Sequence, residues 1–233
     1  MEQSGTSALL QGAVQDLSSD VVSVLRGGGH VRLSGGVADG PGAGLAAAAV
    51  RVLGADLLLP HVLTGTPPLP DTLEAFRQAV QAFPPRSDAA PAVVWSHWAM
   101  RRTLHRFDRA GSDRAGQDAE PDAGWLGGAT WQSLTHQLAV LAPLAAVAED
   151  CAVARAARSR PVDVARGFVR AVRRRDWLQA AGAGRWLTLL DGVPDTLGLD
   201  GGLDFVDLMG GGDPRVALQL AAARAARRAG APV

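Results

Sequence analysis

The chain has 233 residues, 47 % of them apolar and 20 % charged, with zero formal net charge. It is long enough to bury a sizeable core, too apolar for intrinsic disorder, and without bulk attraction for nucleic acid or an anionic membrane. All 23 basic side chains are arginine, and lysine, tyrosine, isoleucine and asparagine are absent; the coding sequence reads as GC-rich, and a Schiff-base lysine, a phosphate-loop lysine and a phenolic acid are excluded.

From Ser7 to Arg26, apolar residues at Leu9, Leu10, Val14, Leu17, Val21, Val22 and Leu25 predict an amphipathic helix, ended by Gly27-Gly28-Gly29. His30 to Leu33 alternates and is a candidate short strand. A glycine-rich loop, Gly35 to Gly44, leads to a small-residue helix from Leu45 to Leu53. Asp56 to Val62 is a candidate buried strand, although Pro60 interrupts it. Asp71 and Glu74 form a capping-box pattern before a helix over Thr72–Phe83, which Pro84-Pro85 stops. A short apolar segment, Ala92–Trp95, precedes a helix over Ser96–Arg109.

Residues 110–128 form the longest stretch rich in chain breakers, and are expected as a flexible loop or linker. Thr130 to Ala157 then reads as helix kinked or split at Pro143, with Cys151 buried inside it. Val162 to Ala180 predicts another helix, and Trp186 to Leu190 a short one. Asp191 to Gly212 reads as a glycine- and aspartate-rich loop around an apolar knot. Asp213-Pro214 starts a terminal helix. The expected fold is mainly α, an alanine-rich helical globular protein with a few short strands in the first 110 residues. Its parts are 1–109, a linker 110–128, and a helical part 129–233, or one continuous domain.

The zero net charge hides an asymmetry: residues 1–150 carry net −5 and residues 151–233 net +5. Two solvated surfaces, or two faces that dock within or between chains, would each produce it. No basic, apolar leader opens the chain and no unbroken apolar run reaches ~18 residues, so a soluble, cytoplasmic protein with no membrane partner is expected.

Two clusters carry candidate chemistry. Gly40, Gly42 and Gly44 stand before a helix, where backbone N–H groups can hold a phosphate; the spacing does not fit G-x-G-x-x-G, because Leu45 occupies the third glycine's place. Just before them, Ser34-Gly35-Gly36-Val37 is similar to the opening of the pyrophosphatase loop of ATP-dependent amidotransferases, and departs from it at Ala38-Asp39. The second cluster is Trp95, His97, Trp98, Arg101, Arg102, His105 and Asp108. On a helix, His97, Arg101 and His105 share a side, a pattern suited to an anion pocket or a stacking platform. The plainer reading is buried tryptophans beneath a solvated charged face.

No metal-ligand spacing occurs, so no metal and no cofactor are expected, and no catalytic residue is assigned. His136 reads as a surface histidine; Asp200, Asp204, Asp207 and Asp213 read as capping or turn residues. The arginine-dense segments, Arg166, Arg170, Arg173, Arg174 and Arg175 and then Arg224, Arg227 and Arg228, with Trp177 nearby, would suit nucleic acid, but interleaved Asp163 and Asp176 and the absent net charge argue for salt-bridged surface.

Arg160-Pro161-Val162, Val164-Ala165, Phe168 and Asp176-Trp177-Leu178 resemble a helical stretch near the C-terminus of the large bacterial NAD-dependent glutamate dehydrogenases. The resemblance spans about residues 160–178, touches no catalytic motif, and implies a helical, non-catalytic module. The function expected is therefore a non-catalytic helical protein that acts through self-association or a protein partner. The rival expectation is a small enzyme or ligand-binding protein whose Trp/His/Arg pocket takes a small anionic or aromatic molecule.

Overall fold

The structure, a computed structural model, describes residues 2–32, 43–107, 119–146 and 150–230. It is mainly helical, and no strand occurs among the described residues. The chain forms two compact units, residues 1–119 and 120–233.

The first unit begins with α1 (Glu2–Gly27), which buries Val14, Leu17, Val21 and Val22. Gly28 and Gly29 follow at φ 76° and 103°, a backbone that only glycine adopts freely, and so the helix stops there. α1 packs on α2 (Ala43–Leu53), and α2 on α4 (Pro70–Ala82). Between them lie a 3-10 turn, Gly54–Leu58, and the short α3 (Leu59–Thr64).

The two strands expected here are corrected. His30–Arg32 has no regular secondary structure; the carbonyl of the buried Val31 accepts from Thr72 Oγ1 at 3.0 Å. Leu33 is outside the described residues. Asp56–Val62 is 3-10 and α-helix. A run buried on every side shows no alternation, so periodicity could not separate strand from helix, and Pro60 sits in the first turn of α3, where its missing N–H is not needed.

Gly44–Thr64 is long and apolar enough by composition to span a membrane. In the fold it is broken by Gly54 at φ 66° into α2, the 3-10 turn and α3, and most of it is buried within the unit. α5 (Pro91–Phe107) completes the unit, absorbing the apolar segment Ala92–Trp95, and packs on the 3-10 turn and α4. Arg51 joins three elements: its guanidinium donates to the Phe83 carbonyl, the Ser96 hydroxyl and the Val93 carbonyl.

The second unit is built around α10 (Trp177–Leu187), whose residues 180–187 are all buried. Alanine and glycine dominate this helix, so neighbours approach closely. A Cβ at Gly182 would stand 2.9 Å from the Ala139 carbonyl oxygen of α7 (Trp131–Val140), and one at Gly184 would stand 2.5 Å from Leu203. Trp186 Nε1 donates to the Leu138 carbonyl at 2.6 Å. α9 (Pro161–Arg173), α11 (Leu199–Gly210) and α12 (Pro214–Gly230) also pack on α10. Arg185, fully buried, donates to the Ala145 carbonyl and to Gln219 Oε1 of α12.

Several expected boundaries move. Residues 120–128 carry α6 (Gly124–Gly127), bury Leu126 completely, and supply Glu120, which accepts from the Ala152 N–H at 2.8 Å and pairs with Arg155. The helix expected over Thr130–Ala157 divides into α7, a 3-10 turn at Ala142–Leu144 and α8 (Ala152–Arg158). Cys151 is fully buried, but it stands in extended backbone at the head of α8 rather than inside a helix.

The helix expected over Val162–Ala180 ends at Arg173. Arg175 takes φ 59°, and Asp176 caps α10 by accepting from the Gln179 N–H. The expected loop over Asp191–Gly212 contains α11. Its Asp200, Asp204 and Asp207 are neither turn nor capping residues: Asp200 pairs with Arg227, and Asp204 and Asp207 with Arg224 at 3.0 and 2.8 Å.

Candidate ligand groove

The cluster singled out on α5 divides by depth. Trp95 and Trp98 are core residues of the first unit, in edge contact at 5.1 Å. His97 is 9 % exposed, Arg101 is exposed, and Arg102 and His105 are half-buried. The Arg102 guanidinium lies over the Trp98 ring at 5.1 Å. Asp108 is outside the described residues, as are Gly40 and Gly42; Gly44 is the exposed second residue of α2.

The same unit holds a buried imidazole that the sequence did not mark. His61 is 1 % exposed and stacks at 5.4 Å on His30, which is exposed. Neither ring nitrogen of His61 makes a hydrogen bond. Burial first, then the charge of His30, hold it below the usual 6.5; the Thr66 backbone weakly opposes this without reaching hydrogen-bonding geometry.

The groove lies in the second unit. It has a volume of about 620 Å³ and runs along α9. Val162, Ala165 and Val169 of α9 form its apolar floor with Pro194 and Leu197, which flank and enter the 3-10 turn Asp195–Leu197. Trp131, the first residue of α7, stands in its wall. Arg166, Arg170, Arg173 and Arg174 line it as well.

Local rules place each part. Pro161 starts α9 at a position where proline costs nothing. Buried Val164, Ala165, Phe168 and Ala171 turn one face of α9 inward, so the arginines project from the other. Gly167 sets the crossing of α9 with α7: a Cβ there would stand 1.9 Å from Thr135 Oγ1. Thr135 lies one turn after Trp131 and donates to its carbonyl at 2.8 Å. The close crossing therefore brings the Trp131 ring beneath the guanidiniums of Arg166 and Arg170, at 5.3 and 5.7 Å.

The electrostatics are one-sided, since no lining residue is acidic. Asp163, nearby on α9, is held by Arg160 at 2.5 and 2.8 Å, and Arg166 reaches it only at 3.9 Å. The residues that carried the dehydrogenase resemblance have visible structural work here: the Arg160–Asp163 pair, the Pro161 start and the Asp176 cap.

In the sequence, the tryptophan nearest these arginines is Trp177. Trp177 packs instead against Phe205, at 6.0 Å. Trp131 comes from 35 or more residues away, and no local pattern announces that encounter. His136, expected at the surface, is exposed and contacts Gln179 Oε1 at 3.2 Å. Among the described residues, no three His, Cys, Asp or Glu side chains gather as a metal site. No family model, no curated protein and no solved structure matches this chain.

Proposed function

We propose that this chain is a ligand-binding protein whose second unit takes an anionic molecule with an apolar body. The observation that carries the reading is the composition of the α9 groove: four arginines, a tryptophan and an aliphatic floor, with no carboxylate in the lining. Its volume falls in the range of small-molecule sites. Guanidiniums supply fixed, planar donors for an anion, and the valines and leucine exclude water from the remainder of the ligand.

The test uses anilinonaphthalene sulfonate, an anionic aromatic probe, with the full chain. The expected result is saturable fluorescence enhancement at one site, lost in Val169→Asp, which places a carboxylate on the floor. Enhancement that is unchanged by Val169→Asp defeats the proposal.

A second reading, self-association, is favoured by α11. Phe205, Leu208 and Met209 are 45, 81 and 50 % exposed, and they share one helix face at i, i+3 and i+4. An apolar cluster of that kind often marks an association surface. Sedimentation equilibrium should show a dimer or larger species that Leu208→Glu dissociates; a monomer at every concentration refutes it.

A further inference from the structure

The α9 groove is polarised along its length, and this supports a narrower assignment that rests on the ligand-binding reading above. At its first end lie Val162 and Ala165. A Cβ at Gly192 would stand 3.6 Å from Pro161, so the turn that brings Pro194 and Leu197 into the groove lies near that end. Here the guanidiniums have a counter-charge, because Arg160 and Arg166 share Asp163. At the far end stand Arg170, Arg173 and Arg174, at i, i+3 and i+4, which sets neighbours about 5–6 Å apart. Among the described residues no carboxylate lies within 4.0 Å of any of these three guanidiniums. The C-terminus of α9 offers them only about half an elementary charge, far short of three positive charges.

The geometry points to a soluble phosphate monoester as the ligand class: a doubly charged phosphoryl head at Arg170, Arg173 and Arg174, and an apolar chain on Val169, Val162 and Leu197 beside Trp131. A phosphoryl group offers three strong acceptor oxygens and close to two negative charges, so it answers several forked donors at once. A sulfate or carboxylate head leaves more of the mutual arginine repulsion in place. From Val162 to Arg170 the helix rises ~12 Å, room for a short aliphatic chain.

The experiment is calorimetric titration of the full chain at pH 8 with octyl phosphate, octyl sulfate, octanol and inorganic phosphate. Octyl phosphate should bind about tenfold or more tightly than octyl sulfate, a difference of ~1.4 kcal/mol, and the other two more weakly still. Its affinity should fall at pH 5, where the head becomes singly charged. Replacing the exposed pair, Arg173→Glu with Arg174→Glu, should reduce octyl phosphate binding about tenfold or more while leaving octanol binding and the helical circular dichroism unchanged. Equal binding of octyl sulfate and octyl phosphate overturns the doubly charged head and leaves the broader ligand-binding reading intact. Binding of neither overturns both. Binding confined to phosphatidic acid vesicles, or octyl phosphate affinity unchanged in the double variant, also overturns the assignment.

Discussion

Gly167→Ala tests the crossing on which the groove depends. The new Cβ would lie 1.9 Å from Thr135 Oγ1, 2.3 Å from its Cγ2 and 2.4 Å from its Cβ. Ordinary contact begins near 3.4 Å, so α7 and α9 must part by about 1.5 Å. Thr135 cannot swing clear: it is β-branched and stiff at χ1, and its hydroxyl already donates to the Trp131 carbonyl. Alanine in a helix interior gains about 1 kcal/mol over glycine. Overpacking a tight contact costs ~1–3 kcal/mol, occasionally more, and this overlap is at the severe end. The net expectation is destabilisation of the second unit by about 2 kcal/mol.

The control is Gly201→Ala on α11, where the added Cβ meets nothing within 4 Å beyond its chain neighbours and the backbone of its own helix; there only the propensity term acts, and a gain of up to ~1 kcal/mol is expected. Urea denaturation with hydrogen exchange at the amides of α9 and α10 measures both. Gly167→Ala as stable as the parent, or gaining like the control, would refute the crossing and with it the placement of Trp131.

Two further outcomes follow from single residues. The folded state holds His61 below 6.5 whereas the unfolded chain titrates near that value, so the unfolded chain binds the proton more readily; stability of the first unit should be intact above pH 6.5 and decline as pH falls below it. His61→Phe should flatten the change in urea midpoint between pH 8 and pH 5.5, and an unaltered pH dependence would contradict the reasoning. Arg175 takes φ 59°, a left-handed conformation that costs a non-glycine residue about 1–2 kcal/mol; Arg175→Gly should stabilise by ~0.5 kcal/mol after glycine's greater unfolded entropy is deducted, read as a small rise in Tm, and a fall would count against the turn.

The sequence revealed helices best where a stop or start has a local cause. Gly28-Gly29 after α1, Pro161 before α9 and Asp213-Pro214 before α12 all act where their chemistry predicts. α11 was hidden for the opposite reason. Gly201, Gly202, Gly210 and its aspartates are poor helix formers, and only tertiary contacts make them helical: Leu203 and Val206 are buried, Gly202 and Gly210 make room for Phe168 and Trp177, and the aspartates meet arginines of α12. The break at Arg175 was hidden because nothing about arginine requests a positive φ. On α5, aromatic and basic residues shared a segment, but burial sorted them: a tryptophan every three residues marks an inward face as readily as a binding face.

The arginines of the second unit show why composition could not locate the groove. Arg224 and Arg227 belong to the same residue type and the same basic half of the chain as Arg170, Arg173 and Arg174. They differ in what the fold sets opposite them. α11 lays its aspartates along α12 and neutralises that row. α9 crosses the small-residue face of α10 and the Thr135 turn of α7, and both contacts fall on its inner side. Its outer side faces Trp131 and the Pro194–Leu197 turn, and among the described residues no carboxylate comes within 4.0 Å of Arg170, Arg173 or Arg174. Charge left unanswered beside an aliphatic floor is what separates a binding surface from a salt-bridged one, and that distinction depends on helix order in space rather than on any property of arginine.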